Sequence, residues 1–348
     1  EYNFLHYCLF VTFFPQLIAG PIVHHREMLP QFANDSVYKL SYKNIAIGIT
    51  IFTIGIFKKV ILADGVAEYA TPAFFSADNN ESLTFINSWI GALSYSLQLY
   101  FDFSGYSDMA IGVARMFSIT LPVNFNSPYK AVNIIEFWRC WHITLSRFLR
   151  DYVYIPLGGS RKGKTRRYIN LMMTMLFGGL WHGAGWTFII WGGLHGLYLV
   201  INHSWQGIRI LIGHNLNIST WYSRFLARTI TFIVIIIGWV FFRSESINGA
   251  INMLTSMSGV DGTSTISDII INIKQRGILV FSLLIALYAP NTQQIMRQYN
   301  PVLEPSNQLS NSRLKWVPNI YYGFIVSILL LFSLTRLIKE SEFLYFNF

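Results

Sequence analysis

Charged side chains are scarce. Asp, Glu, Lys and Arg make up 12% of the 348 residues, about half the share of a soluble globular domain. That scarcity excludes an ordinary water-facing surface around an ordinary core. Cysteine is nearly absent. Cys8 and Cys140 both lie in or beside apolar stretches, which excludes a disulfide framework and a cysteine-based metal site. No Walker loop or Rossmann fingerprint occurs, so these nucleotide-binding folds are unsupported. No Gly-x-Ser-x-Gly occurs, so a self-contained serine hydrolase is unsupported too. The apolar stretches run continuously instead of alternating with polar residues, which argues against a β-barrel. Fixed-period repeats and low-complexity tracts are missing. So is the pattern of basic flank, short apolar core and cleavage site that marks a signal peptide. The sequence opens at Glu1 and is apolar from Phe4 onward. The expectation is a chain lacking its first helices.

Apolar and aromatic residues fill the space: 53% and 16% of the chain, with mean hydropathy +0.40. The runs approach the roughly 20 residues a membrane span needs, and the many Trp and Tyr suit interfacial belts. The fold class expected is an all-α polytopic membrane protein. Candidate segments are residues 4–23, 44–62, 83–100, 168–181, 186–201, 225–242, 277–289 and 320–337. Segment 168–181 spans only about 21 Å, short of a core about 30 Å thick, which suggests half-insertion or tilt. Segment 277–289 is also short and extends backward toward Lys274. Pro15 interrupts the first segment, as a kink or as part of a re-entrant element.

The net charge is +9. No basic domain separates from the apolar runs, so no nucleic-acid partner is expected. The excess instead marks cytoplasmic loops. Arg161, Lys162, Lys164, Arg166 and Arg167 crowd into residues 158–167 and place that loop in the cytoplasm. Alternation then puts His182 at the middle or far side of the membrane, residues 243–268 outside and 292–316 inside. Arg336 and Lys339 fall outside, against the rule.

The segment WHGAGW (181–186) sets an imidazole, His182, between two apolar runs. An ionisable group at membrane depth is usually paired, water-lined or functional. His182 has no charged neighbour in sequence. Gly183 and Gly185 permit a turn or close approach, and Trp181 and Trp186 could wall off water. A neutral imidazole there could take a proton from an attacking hydroxyl, a role worth about 10²–10⁴-fold. A buried histidine bonded to a helix carbonyl fits the same residues.

A second histidine, His142, lies in EFWRCWHITLS (136–146). At helical spacing Arg139, His142, Ser146 and Arg150 share one narrow face, with Trp138, Trp141, Leu145, Phe148 and Leu149 over much of the rest. This reads either as a polar stripe lining a cavity or as an interfacial helix on lipid headgroups. Asp151 has Arg147 and Arg150 within reach. Asp102 and Asp108 follow an apolar run and could hold a cation such as Arg139, or belong to an interfacial loop. His195, among Gly192, Gly193 and Gly196, reads as a packing or hydrogen-bonding residue. A metal site at His24 and His25 lacks a third ligand.

Six stretches together resemble the membrane-bound O-acyltransferase (MBOAT) family, in particular its bacterial branch typified by the membrane subunit of alginate O-acetylation. They are FPQLIAGPIV (14–23), YFDFSGYSDMAIG (100–112), NFNSPY (124–129), FWRCWHITLS (137–146), LRDYVYIPLGG (149–159) and GGLWHGAGW (178–186). The resemblance implies a multi-helix bundle with a transmembrane tunnel, one membrane domain over 1–348, with a motif-rich core at 1–202 and C-terminal helices at 203–348. It implies His182 as catalytic histidine and His142 as the second signature histidine. Substrate-contacting candidates are Arg139, Trp141, Ser146, Arg150, Trp181 and Asp102, with no metal. Acetyl-CoA is the implied donor, entering from the cytoplasm, with no bound cofactor. Other implied partners are membrane lipids, a periplasmic SGNH-type transferase and a cell-envelope polysaccharide, alginate-like or peptidoglycan. The implied location is a bacterial inner membrane, crossed many times. A non-catalytic acyl conduit and D-alanyl transfer to teichoic acid are the alternatives. Two positions depart from the pattern: Cys140 and His24 each stand where an Arg is expected.

Overall fold

A computed structural model describes residues 3–17, 20–215, 220–260, 273–303, 314–337 and Leu344. Among these residues the chain is helical, with no strand. The elements are α1 (Phe4–Thr12), α2 (His25–Phe32), α3 (Tyr42–Phe57), α4 (Asp64–Asp78), α5 (Phe85–Met116), α6 (Ile134–Cys140), α7 (Ile143–Leu149) and α8 (Lys164–His182). They continue with α9 (Trp186–Leu211), α10 (Trp221–Arg243), α11 (Ile247–Ser258), α12 (Ile273–Tyr288), α13 (Thr292–Ile295) and α14 (Ile320–Leu334).

The apolar segments become helices, with instructive shifts of boundary. The first is broken. α1 stops at Thr12, Phe13 is extended, and Pro15 sits in a 3-10 turn at Phe14–Gln16; Pro15 has no N–H with which to continue the α-helical ladder. The second is longer than expected. α3, a π-helical stretch at Lys58–Ala63 and α4 form one helix of 37 residues, Tyr42–Asp78. α8 starts at Lys164 and runs 19 residues, or about 28 Å. Its first turn is the basic cluster, so the apolar part of the helix remains the short stretch from Tyr168 to His182.

Transfer from water gives apolar helices little reason to associate in lipid, so close van der Waals contact must do more. The glycines supply it. A Cβ on Gly48 would lie 2.5 Å from the Gly112 carbonyl oxygen, and one on Gly55 would lie 2.6 Å from that of Gly105. α3 and α5 therefore meet backbone to backbone at two points, two turns apart on each helix. α8 and α9 form a hairpin of the same kind. A Cβ on Gly179 would strike the Phe188 carbonyl, and one on Gly192 that of Met175, each at 2.4 Å.

α5 is the central post. Ser88, Ser94, Ser96, Gln98, Asp102, Ser104, Ser107 and Asp108 are all buried along it. One apolar core joins α4 and α5 to α6, α9, α10, α11 and α12, and a second joins α2 and α3 to the far end of α5. Large apolar side chains face outward instead on α9, α10 and α14, among them Leu197, Ile201, Phe225, Ile230, Phe324 and Leu331. Such an exterior suits hydrocarbon and not water. Tyr42–Asp78 and Trp221–Arg243 are long and apolar enough to cross a membrane.

Candidate functional site

His142 is built by a break in the helix. α6 ends at Cys140, Trp141 is extended, and His142 adopts a left-handed conformation (φ 41°, ψ 55°) before α7 starts at Ile143. Left-handed backbone at a non-glycine residue costs about 1–3 kcal/mol and persists only where the surroundings impose it. Here segment 124–127 imposes it. The Asn126 N–H donates to the Cys140 carbonyl and the Ile143 N–H to the Asn124 carbonyl, each at 2.9 Å. Ser127, on the same segment, is left-handed too (φ 49°, ψ 56°).

Asn124, fully buried, fixes the imidazole. Its Oδ1 lies 3.0 Å from His142 Nδ1 and accepts from the Thr144 hydroxyl at 2.9 Å, while its Nδ2 donates to Ser107 Oγ at 3.2 Å. An amide oxygen only accepts, so Nδ1 carries the ring hydrogen and Nε2 keeps the lone pair. Phe103 stands edge-on to the ring at 4.7 Å. Thr144 Oγ1 also accepts the Ile22 N–H at 3.1 Å. Arg147 grips Glu27 through two nitrogens, at 2.5 and 3.0 Å. The Gly-Pro-Ile stretch at 20–22 is thereby docked on α7.

His182 ends α8, and Gly183 (φ 157°) turns the chain toward α9. A Cβ on Gly183 would fall 2.7 Å from the Phe188 ring. The half-buried His182 ring meets Trp191 edge-on at 5.4 Å and Phe242 at 5.0 Å. The water-excluding wall is thus Trp191 and Phe242. Trp181 and Trp186, the flanking residues, are 54% and 71% exposed, and Trp181 leans on Phe148. The two histidines, forty residues apart in sequence, are joined by a series of ring contacts, His142 through Phe125 to Trp141 and His182 through Trp191 and Phe242 to Trp239. Between them runs an aromatic partition: Trp141 on Trp239 at 4.8 Å, Trp239 on Trp191 at 5.8 Å and on Phe242 at 5.4 Å.

The helical stripe expected through Arg139, His142, Ser146 and Arg150 does not form, because the break at Trp141 and His142 interrupts it. His142 and Trp141 are buried, whereas Arg139 is exposed and the Arg150 side chain is 60% exposed, bonded to Asp151 at 2.7 Å. Ser146 Oγ reaches the Trp141 carbonyl at 3.4 Å. Asp102 takes Lys59, not Arg139, as its cation, at 2.7 Å, and accepts the Leu344 N–H at 3.1 Å. His195 is fully buried against Trp138, Trp191, Tyr198 and Trp239. Neither ring nitrogen has a hydrogen-bond partner among the described residues, so packing is its visible role. His24 caps α2, its Nδ1 accepting the Arg26 N–H at 3.2 Å.

Sequence reasoning gave no role to Asn124, Thr144, Trp191, Phe242, Lys58 or Lys59. One signal was available for the lysines: two adjacent cations closing an apolar run must be paired or functional.

Residues 1–242 match the membrane-bound O-acyltransferase family, MBOAT, and the chain belongs to it. Among individual relatives, a peptidoglycan O-acetyltransferase of Helicobacter pylori is 45% identical, over 99% of this chain and 65% of its own length. A probable alginate O-acetylase of Azotobacter vinelandii is 44% identical over 77% of this chain and 50% of its own. A teichoic acid D-alanyltransferase of Streptococcus thermophilus is 29% identical over 59% of this chain and 51% of its own. The chain therefore spans between half and two thirds of the length of these relatives.

Proposed function

We propose that the protein is a multi-pass acyltransferase of a bacterial cytoplasmic membrane, transferring acetyl from cytoplasmic acetyl-CoA toward hydroxyls of a cell-envelope glycan. The observation that carries the reading is the placement of His142 and His182 on one continuous set of aromatic contacts, in a chain of this family. Two imidazoles in a water-poor site suit acyl transfer because the attacking hydroxyl must lose a proton and the departing sulfur must gain one. The acceptor oxygen bonds to the thioester carbonyl carbon and the C–S bond breaks. The hydroxyl proton passes to an imidazole, assigned here to His182, and then to the departing sulfur. Asn124 holds His142 in one tautomer, with Nε2 as its basic atom.

Peptidoglycan is the favoured acceptor. Similarity to the peptidoglycan enzyme runs through nearly the whole chain, whereas similarity to the alginate enzyme covers 77% of it. Arg139, Arg150 and the basic loop form the proposed donor side. A periplasmic SGNH-type transferase is the proposed recipient when the glycan itself does not enter the membrane.

The test is His182→Ala in the full-length protein, at matched membrane abundance. Expected results are loss of glycan-bound acetate in cells and a drop of at least about 100-fold in CoA release by purified protein. CoA release at the wild-type rate would remove His182 from the chemistry, whereas no CoA release by the wild-type protein on its own would mark a conduit.

A further inference from the structure

The part of the chain beyond the family-like motifs reaches back into the site. Residues 289–293, the α12–α13 link and the first turn of α13, are sewn to the segment that shapes His142 and to Asp108. Asn291 Nδ2 donates to Asn126 Oδ1 at 2.7 Å and to Ser127 Oγ at 3.0 Å. Lys130 Nζ donates to the Ala289 carbonyl. On the other side, Thr292 Oγ1 and Gln293 Nε2 both donate to Asp108, whose charge is met by Lys58. Asp108 follows Ser107, the residue that accepts the Asn124 amide.

Both anchors of Asn124, its backbone segment and its side-chain partner, therefore sit one or two residues from a bond to this loop. Asn291, Thr292 and Gln293 are at most 8% exposed. Gln293 Oε1 is buried without a hydrogen-bond partner among the described residues, while its Nε2 is spent on Asp108. Asn291 also closes a capping box with Gln294, its Oδ1 accepting the Gln294 N–H at 2.9 Å. Its amide thus has two separable jobs: the oxygen caps α13 and the nitrogen grips the 126–127 turn.

We propose that loop 289–293 is a positioning element of the acyl-transfer site, and that Asn291, through its Nδ2 hydrogens, holds segment 124–127 so that His142 keeps its left-handed backbone and its Nδ1–H tautomer. The proposal rests on the reading of His142 as a site residue. The left-handed turn is held directly by Asn291, while Thr292 and Gln293 hold Asp108 beside Ser107, all three from a different part of the chain.

Asn291→Asp tests it in a Ser127→Ala background, used for every comparison below so that no hydroxyl can donate to the new carboxylate, because aspartate still caps α13 but has no hydrogens to give segment 126–127. Full-length protein carrying ¹⁵N-histidine is placed in nanodiscs, and the His142 signals are assigned by their loss in His142→Gln. The Ser127→Ala parent is expected to show a protonated Nδ1, and Asn291→Asp a shift toward the other tautomer. CoA release should fall about 10- to 100-fold in kcat with KM for acetyl-CoA unchanged, as for a displaced catalytic group. In a His142→Gln background Asn291→Asp should cause no further loss. Asn252→Ala, which removes bonds to Ala77 and Asn80 far from the loop, should leave the His142 signals in place. An unshifted His142 spectrum in Asn291→Asp overturns the proposal, whatever the rate does. Full turnover by His142→Gln would sink the catalytic reading of His142 instead, and the spectrum would still decide the brace.

Discussion

At the scale of single residues, Asn124 is the most exacting position. Its oxygen takes His142 and Thr144, its nitrogen takes Ser107, and all of it is buried. Asn124→Leu fills the same space and returns none of these bonds. Turnover is expected to fall about 100-fold, since a reacting group displaced by about 1 Å loses that much. CoA release at equal membrane abundance measures it, and a rate near wild type would dissociate Asn124 from the chemistry. His142 and His182 stood out in the sequence because a titratable group in an apolar run is conspicuous. Asn124 did not, because a neutral amide in a loop motif has many ordinary explanations. What singles it out is the set of three partners, which only tertiary structure brings together.

Among the helices, the π stretch at Lys58–Ala63 carries two buried ion pairs to α5. Lys58 meets Asp108, and Lys59 lies between Asp102 at 2.7 Å and Asp64 at 2.9 Å. Gly105 lets the two backbones approach: a Cβ there would lie 3.1 Å from the Lys59 backbone nitrogen and 2.8 Å from the Gly55 carbonyl oxygen. Lys59→Met leaves Asp102 charged, buried and unmatched, and should cost about 3–5 kcal/mol. Lys59→Met with Asp102→Leu should recover much of that loss. Thermal unfolding in detergent reads both. A single variant as stable as wild type would mean that Asp102 is not ionised in the fold. The apolar helices were legible in sequence because long hydrophobic runs announce themselves. The break at His142 was not. Residues 136–150 have good helical spacing throughout, and only the pairing of 124–126 with 140–143 overrides it.

For the whole molecule, side-chain contacts fix which ends lie together. Asp78, at the end of α4, accepts the Glu245 N–H at 3.3 Å and the Ser246 hydroxyl at 3.5 Å, so the ends of α4 and α10 share one side of the bundle. Arg115, at the end of α5, donates to the Tyr299 carbonyl at 3.2 Å, which gathers the other side. The proposed orientation, with the basic loop 158–167 cytoplasmic, would put Ser160 on the cytoplasmic side and Ser258 on the periplasmic side. In a protein with Cys8 and Cys140 changed to Ser, Ser160→Cys should resist a membrane-impermeant maleimide in intact spheroplasts and Ser258→Cys should react. The reverse pattern would invert the topology and the proposed direction of acetyl flow.

The π stretch has a further consequence for how such a chain can vary. It amounts to one residue more than an α-helix needs, and each residue of an α-helix turns the chain by about 100°. Removing one residue between Lys58 and Ala63 would restore regular pitch and rotate everything before it by that angle against everything after. Gly48 and Gly55 would then swing off the α5 seam while α4 stayed in place. Substitutions within this helix can be absorbed one contact at a time, but a change in its length cannot. The helix is constrained as a count of residues as well as a choice of them, and gaps in any comparison of related chains should fall outside 58–63.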